Sequence, residues 1–138
     1  MRALVVAVVW ALGALLAPVA AQAQYGAVAY NFSDGGGGIA LNQPTEEGAR
    51  ARAMSTCRGA ACAIQQIVAP GQCLAVCMGV ALFAPEQPTD TFQWGVGATR
   101  QEAIERARLQ CRAMFPGSAS RGERVGCNQR TAAPARAR

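Results

Sequence analysis

The sequence predicts an α+β fold made of two duplicated strand–strand–helix–strand units that share a mainly antiparallel sheet held by disulfides. Three observations lead there. The order of apolar runs, turns and helix signals occurs twice, two helices of matched sequence end at a cysteine, and six cysteines fall in a chain of 138 residues. One domain of that length, rich in Ala and Gly, has a thin core, and crosslinks that restrict the unfolded chain offset this.

Residues 1–23 carry one charge at Arg2, then an uncharged run from Ala3 to Leu16, then the small residues Ala21 and Ala23. That order is the signature of a secretory signal peptide with cleavage after Ala23. A membrane anchor is the poorer reading, because a span needs roughly 20 apolar residues and Pro18 interrupts this run. The first cysteine is Cys57, which argues against a lipid-anchored lipoprotein. The folded domain is therefore expected over 24–130, with 131–138 as a disordered basic tail.

Tyr25 to Phe32 alternate and carry aromatics, as a strand does. Ser33 to Gly38 form a flexible, glycine-rich hairpin tip, and Ile39 to Asn42 a short second strand. Thr45 caps a helix whose first turn holds Glu46 and Glu47, favoured by the positive helix end. That helix runs to about Cys57 with Ala49 and Ala53 on one face, and Cys62 to Val68 is the next strand. The second unit repeats this. Cys73 to Phe83 form a long apolar strand, Ala84 to Asp90 a Pro-containing loop, and Phe92 to Gly97 a strand. Thr99 and Glu102 then make a capping box. The helix behind it puts Ala103, Ile104, Ala107, Cys111 and Met114 on one face, and a last strand near 123–129 holds Cys127. With Cys57 set against Cys111, five of thirteen helix positions are identical: Thr45/Thr99, Ala49/Ala103, Arg52/Arg106, Ala53/Ala107 and the cysteines. An internal duplication accounts for the matched caps and cysteines better than chance does. Both helices are expected on one side of the shared sheet.

These residues resemble the secreted bacterial family called domain of unknown function 4189. The resemblance rests on Tyr25-Gly26-Ala27-Val28-Ala29-Tyr30, the Ala-rich helix ending at Cys57, the Cys62 strand and Gln72-Cys73-Leu74-Ala75. Trp94-Gly95, Ala103, Ala107, Cys111 and Cys127 extend it across the chain. It implies export and a disulfide-held α+β domain, and brings no catalytic residues with it. Its members usually have a cysteine near the C-terminus, expected to partner the position of Cys73. Here that cysteine is missing and Cys77 is added, so the third bridge does not transfer.

An even cysteine count in a short exported chain reads as three disulfides, with a four-thiolate zinc site from Cys57/Cys62 and Cys73/Cys77 as the alternative. Cys57 and Cys62 are joined by a four-residue turn that brings them into bonding range. The duplication then pairs Cys111 with Cys127, and elimination pairs Cys73 with Cys77. Four residues of extended strand span about 13 Å, so that last pair demands a bulge near Ala75. If the strand is regular, Cys73 or Cys77 must reach the Cys111/Cys127 region instead.

The chain has no histidine and no lysine, which excludes Ser-His-Asp and Cys-His nucleophiles, His metal sites and Schiff-base chemistry. No cofactor is expected. Beyond residue 23, twelve arginines face eight acids, scattered rather than striped, so nucleic acid is not an expected partner. Glu86 and Asp90 lie in one loop and offer a candidate carboxylate pair, but solvation of an exposed loop explains them more simply. Arg50 aligns with the core-facing Ile104. It either snorkels past Ala53 or offers its guanidinium to a partner's carboxylate. Trp94 reads as core. The balance points to a non-catalytic binding module, such as an inhibitor or immunity protein, secreted or periplasmic. The alternative is a secreted enzyme with a carboxylate-based site.

Overall fold

The computed structural model describes residues 22–83, 87–115 and 122–128. The expected leader up to residue 21, Glu86 and the expected tail 131–138 lie outside them. The elements are β1 (Tyr25–Tyr30), β2 (Gly37–Gln43), α1 (Glu46–Thr56), β3 (Ala63–Val68), β4 (Cys73–Phe83), β5 (Gln87–Gly97), α2 (Arg100–Met114) and β6 (Glu123–Cys127). The α+β class and the repeated strand–strand–helix–strand order are both present. In each half the first strand is central, flanked by its hairpin partner and by the strand after the helix, giving orders β2-β1-β3 and β5-β4-β6. All pairings are antiparallel.

One expectation is corrected. The halves do not share a sheet; they form two three-stranded sheets. Ala27, Ala29 and Ala40 pack with Ala49 and Ala53 of α1. Ala75, Cys77 and Ala81 pack with Ala103, Ala107 and Cys111 of α2. The remaining sheet faces meet each other through Val28, Val68, Leu74, Val76 and Val96. The helices therefore cover opposite outer faces and the layers run helix, sheet, sheet, helix. The physical reason is visible in β4, whose first five residues are all buried. A strand apolar on both faces needs cover on both.

The small-residue faces act as expected, letting helix backbone approach sheet backbone. A Cβ on Gly38 would collide with the Ala53 carbonyl and Thr56 hydroxyl, and one on Gly95 with the Ala107 amide. Both helix caps form: Thr45 Oγ1 accepts from the Gly48 amide at 3.0 Å and Thr99 Oγ1 from the Glu102 amide at 3.1 Å. Glu102 Oε2 in return accepts from the Ala98 amide at 2.8 Å, one residue ahead of the usual box position. The hairpin tip is not loose. Gly35 amide donates to the Asn31 carbonyl at 2.9 Å, and Gly35, at φ +73°, packs on Phe83 and Thr91. The segment expected as a loop before Phe92 is also strand from Gln87, because β5 lies at a sheet edge where Pro88 is tolerated.

The Cys57–Cys62 bridge forms as expected, with Cα atoms 6.2 Å apart. The other two pairings are corrected: Cys73 joins Cys127 and Cys77 joins Cys111. β4 is regular throughout its pairing with β5, so Cys73 and Cys77 cannot meet, and both reach the Cys111/Cys127 region. The duplication misled because Cys127 is not the counterpart of Cys62. Ala27 lies opposite Ile67 and Ala75 opposite Val125; stepping two residues along, Cys127 corresponds to Ala69 and Cys73 to Tyr25.

Candidate functional site

The seam between the two sheets is tied at both ends by buried polar side chains. At one end the Tyr30 hydroxyl lies 2.7 Å from Thr91 Oγ1, which donates onward to the Gly35 carbonyl at 2.8 Å. Gln93 Nε2 reaches the Tyr30 oxygen at 3.5 Å. The Tyr30 ring is fully buried and meets Phe32, Phe92 and Trp94, with centroids 5.0, 5.5 and 5.3 Å away. Burial pushes the Tyr30 pKa above the ordinary tyrosine value; the Thr91 and Gln93 bonds oppose this and the nearby Asp34 charge adds to it. At the other end, buried Asn128 donates through Nδ2 to the Val68 carbonyl at 2.8 Å and accepts from the Asn42 amide at 2.9 Å. Its backbone amide donates to the Gln72 carbonyl at 2.9 Å. One residue of the second half thus satisfies backbone groups at the ends of β2 and β3.

Next to the Tyr30 end, a groove of about 490 Å³ follows residues Gln93 to Val96 of β5. β5 is an edge strand, so its outer side offers backbone donors and acceptors to a further strand. Gln66 of β3 and Gln93 bring amides to the groove, Trp94 an aromatic wall, and Phe32 and Leu109 two large apolar side chains. Phe32 is 59% and Leu109 62% exposed. Arg106 closes one end, bonded to Glu102 and donating to the Val96 carbonyl at 2.6 Å.

A second groove runs between the hairpin tip and β5, lined among others by Asp34, Arg58, Asp90 and Phe92. Asp34 Oδ1 accepts from the Gly36 amide at 2.8 Å, which commits it to shaping the turn. Among the described residues no group of three or more Asp, Glu, Cys or His side chains could hold a metal ion. All six cysteines are in disulfides, which leaves no thiolates for the zinc alternative. No helix among the described residues is long and apolar enough to cross a membrane.

The residues singled out from the sequence divide as follows. Arg50 does not face the core. It lies on the exposed side of α1, paired with Glu46 of the same helix at 2.7 Å. Asp90 sits on β5 opposite Val80 rather than in a loop, and Glu86 lies outside the described residues. Trp94 packs in the seam and also lines the first groove. Sequence reasoning missed Phe32 and Leu109. Leu109 carried a signal: it is a leucine off the Ala103/Ala107/Cys111 face, where polar residues belong.

Residues 25–131 match the family described as Domain of unknown function (DUF4189). The chain belongs to that family. No curated protein and no solved structure matches it, so function in this DUF4189 domain has to be argued from its own surface.

Proposed function

We propose that this DUF4189 protein is a non-catalytic binding module of an oxidising bacterial compartment, the periplasm or the extracellular space. It would engage a partner protein's extended segment along the free edge of β5. The observation that carries the reading is the pairing of that unpaired edge with Phe32 and Leu109, two large apolar side chains left mostly in water. Strand addition supplies backbone bonds for affinity, and side pockets supply selectivity. Covering each apolar side chain fully is worth roughly 1.5–3 kcal/mol, which gives the groove its anchors. The three disulfides and the signal-like leader support the compartment. An inhibitor or immunity protein is one instance of such a module.

A second reading rests on Asp34 and Asp90 lining the same groove: a carboxylate-based hydrolase. One pair of variants separates the two. Leu109→Glu, at an exposed site, leaves folding within about 0.5 kcal/mol and is expected to abolish association with a partner in envelope extracts. Asp34→Asn is expected to leave it intact. Turnover of peptidoglycan, peptides or esters that disappears in Asp34→Asn or Asp90→Asn would establish the enzyme instead.

A further inference from the structure

At the opposite side of the sandwich from β5, the inner face of β6 is strangely furnished. Arg124 stands opposite Val76 and Gly126 opposite Leu74, so both share the face that Leu74 and Val76 turn toward the other sheet. A packed sandwich would place two apolar side chains there. Gly126 instead brings none, and Leu41 of β2 approaches so closely that a Cβ on Gly126 would lie 2.7 Å from its Cδ1. What remains is a slot of about 180 Å³ between the sheets, walled by Ile39, Leu41, Leu74 and Val76, with Arg124 as its single charged residue. Ile39 is 39% exposed, so the slot opens to solvent.

Arg124 is also uncommitted in a way its neighbours are not. The ion pairs among the described residues are Arg50–Glu46, Arg106–Glu102 and Arg108–Glu123. Glu123 spends its carboxylate on α2, on the far face of β6. An inward-pointing charge on an edge strand can serve simply to deter pairing with another chain. That role does not require an apolar slot beside it. We propose that this slot binds a fatty acid of medium chain length, its alkyl tail lying against Leu41, Leu74 and Val76 and its carboxylate on the Arg124 guanidinium. The choice of an anion follows from the lone guanidinium at the mouth. The choice of a single chain follows from the volume, close to that of about six waters in the liquid, which excludes a sterol or a two-chain lipid.

The test is titration of the full mature chain, labelled with nitrogen-15, with hexanoate, hexyltrimethylammonium and hexanol, each below its micelle concentration. Saturable shifts of the Ile39, Leu41, Val76 and Gly126 amides are expected with hexanoate. Binding of the ammonium ligand should be at least about tenfold weaker, since its charge repels Arg124. Arg124→Gln should weaken hexanoate about fivefold, the order of an exposed ion pair, and leave hexanol unchanged. Ile39→Glu, which sets a carboxylate at the exposed mouth, should abolish hexanoate binding while the amide spectrum stays that of a folded domain. Equal binding of the three ligands, shifts confined to the Phe32/Leu109 groove, or no saturation by hexanoate would overturn the proposal. So would an Arg124→Gln protein that dimerises while hexanoate affinity stays the same, because the arginine would then be guarding the strand edge.

Discussion

Replacing Cys77 and Cys111 together by alanine cuts the clip that holds α2 against the central strand of the second sheet. The bridge closes a span of 34 residues, and a loop of that length restricts the unfolded chain by about 4 kcal/mol in the chain-entropy treatment. The same treatment gives about 2 kcal/mol for the Cys57–Cys62 bridge, which spans only five. Packing widens the gap. Cys77 is fully buried and Cys111 nearly so, and alanine there leaves space in the layer that Ala103, Ala107 and Phe115 share with β4. A domain of this size has about 5–15 kcal/mol in total. The Cys77/Cys111 variant should therefore lose a large share of it, and Cys57→Ser/Cys62→Ser about half as much. Urea unfolding followed by fluorescence of Trp94, the only tryptophan beyond Trp10, measures both. A Cys57/Cys62 variant as damaged as the Cys77/Cys111 variant, or a Cys77/Cys111 variant within 1 kcal/mol of the parent, would refute the reasoning.

Three further outcomes are expected. Peptide mapping without reduction should recover Cys73 linked to Cys127 and Cys77 linked to Cys111; a Cys111–Cys127 fragment would contradict the pairing. Asn128→Ala orphans the Asn42 amide and the Val68 carbonyl, and should cost about 1–3 kcal/mol in the same urea assay. Because burial raises the Tyr30 pKa, the unfolded chain gives up that proton first, near pH 10. Stability should be whole below about pH 10 and fall as pH rises toward the folded value; Tyr30→Phe should remove that fall while costing about 1 kcal/mol at neutral pH, and an unchanged alkaline profile would count against the buried hydroxyl.

Much of the architecture was legible because local signals and packing agree. Thr45 and Thr99 cap where their spacing says they should, and the alanine pairs Ala49/Ala53 and Ala103/Ala107 do face a sheet. The arrangement of layers was not legible, since an apolar run such as Cys73 to Cys77 shows that both faces are buried without showing what covers each. The pairing of Cys127 depended on strand register, and register is set by cross-strand partners far away in sequence. Gly35 to Gly38 read as a loose turn because glycine signals close approach and flexibility alike. For the candidate groove, Trp94 was visible but was assigned to core. Phe32 and Leu109 come together only after the first half folds against the second. Asp34 was unmarked for the same reason, standing 56 residues from Asp90 in sequence.

The claim that the β5 edge is the binding face is tested most directly by placing a photo-reactive benzoyl side chain at Leu109 and, separately, at Arg52 on α1, then irradiating the cells that produce the protein together with their medium. A discrete protein adduct should form from position 109, disappear when Phe32 is changed to Asp, and be absent from position 52. Equal labelling from both positions, or an adduct at 109 that survives Phe32→Asp, would contradict it.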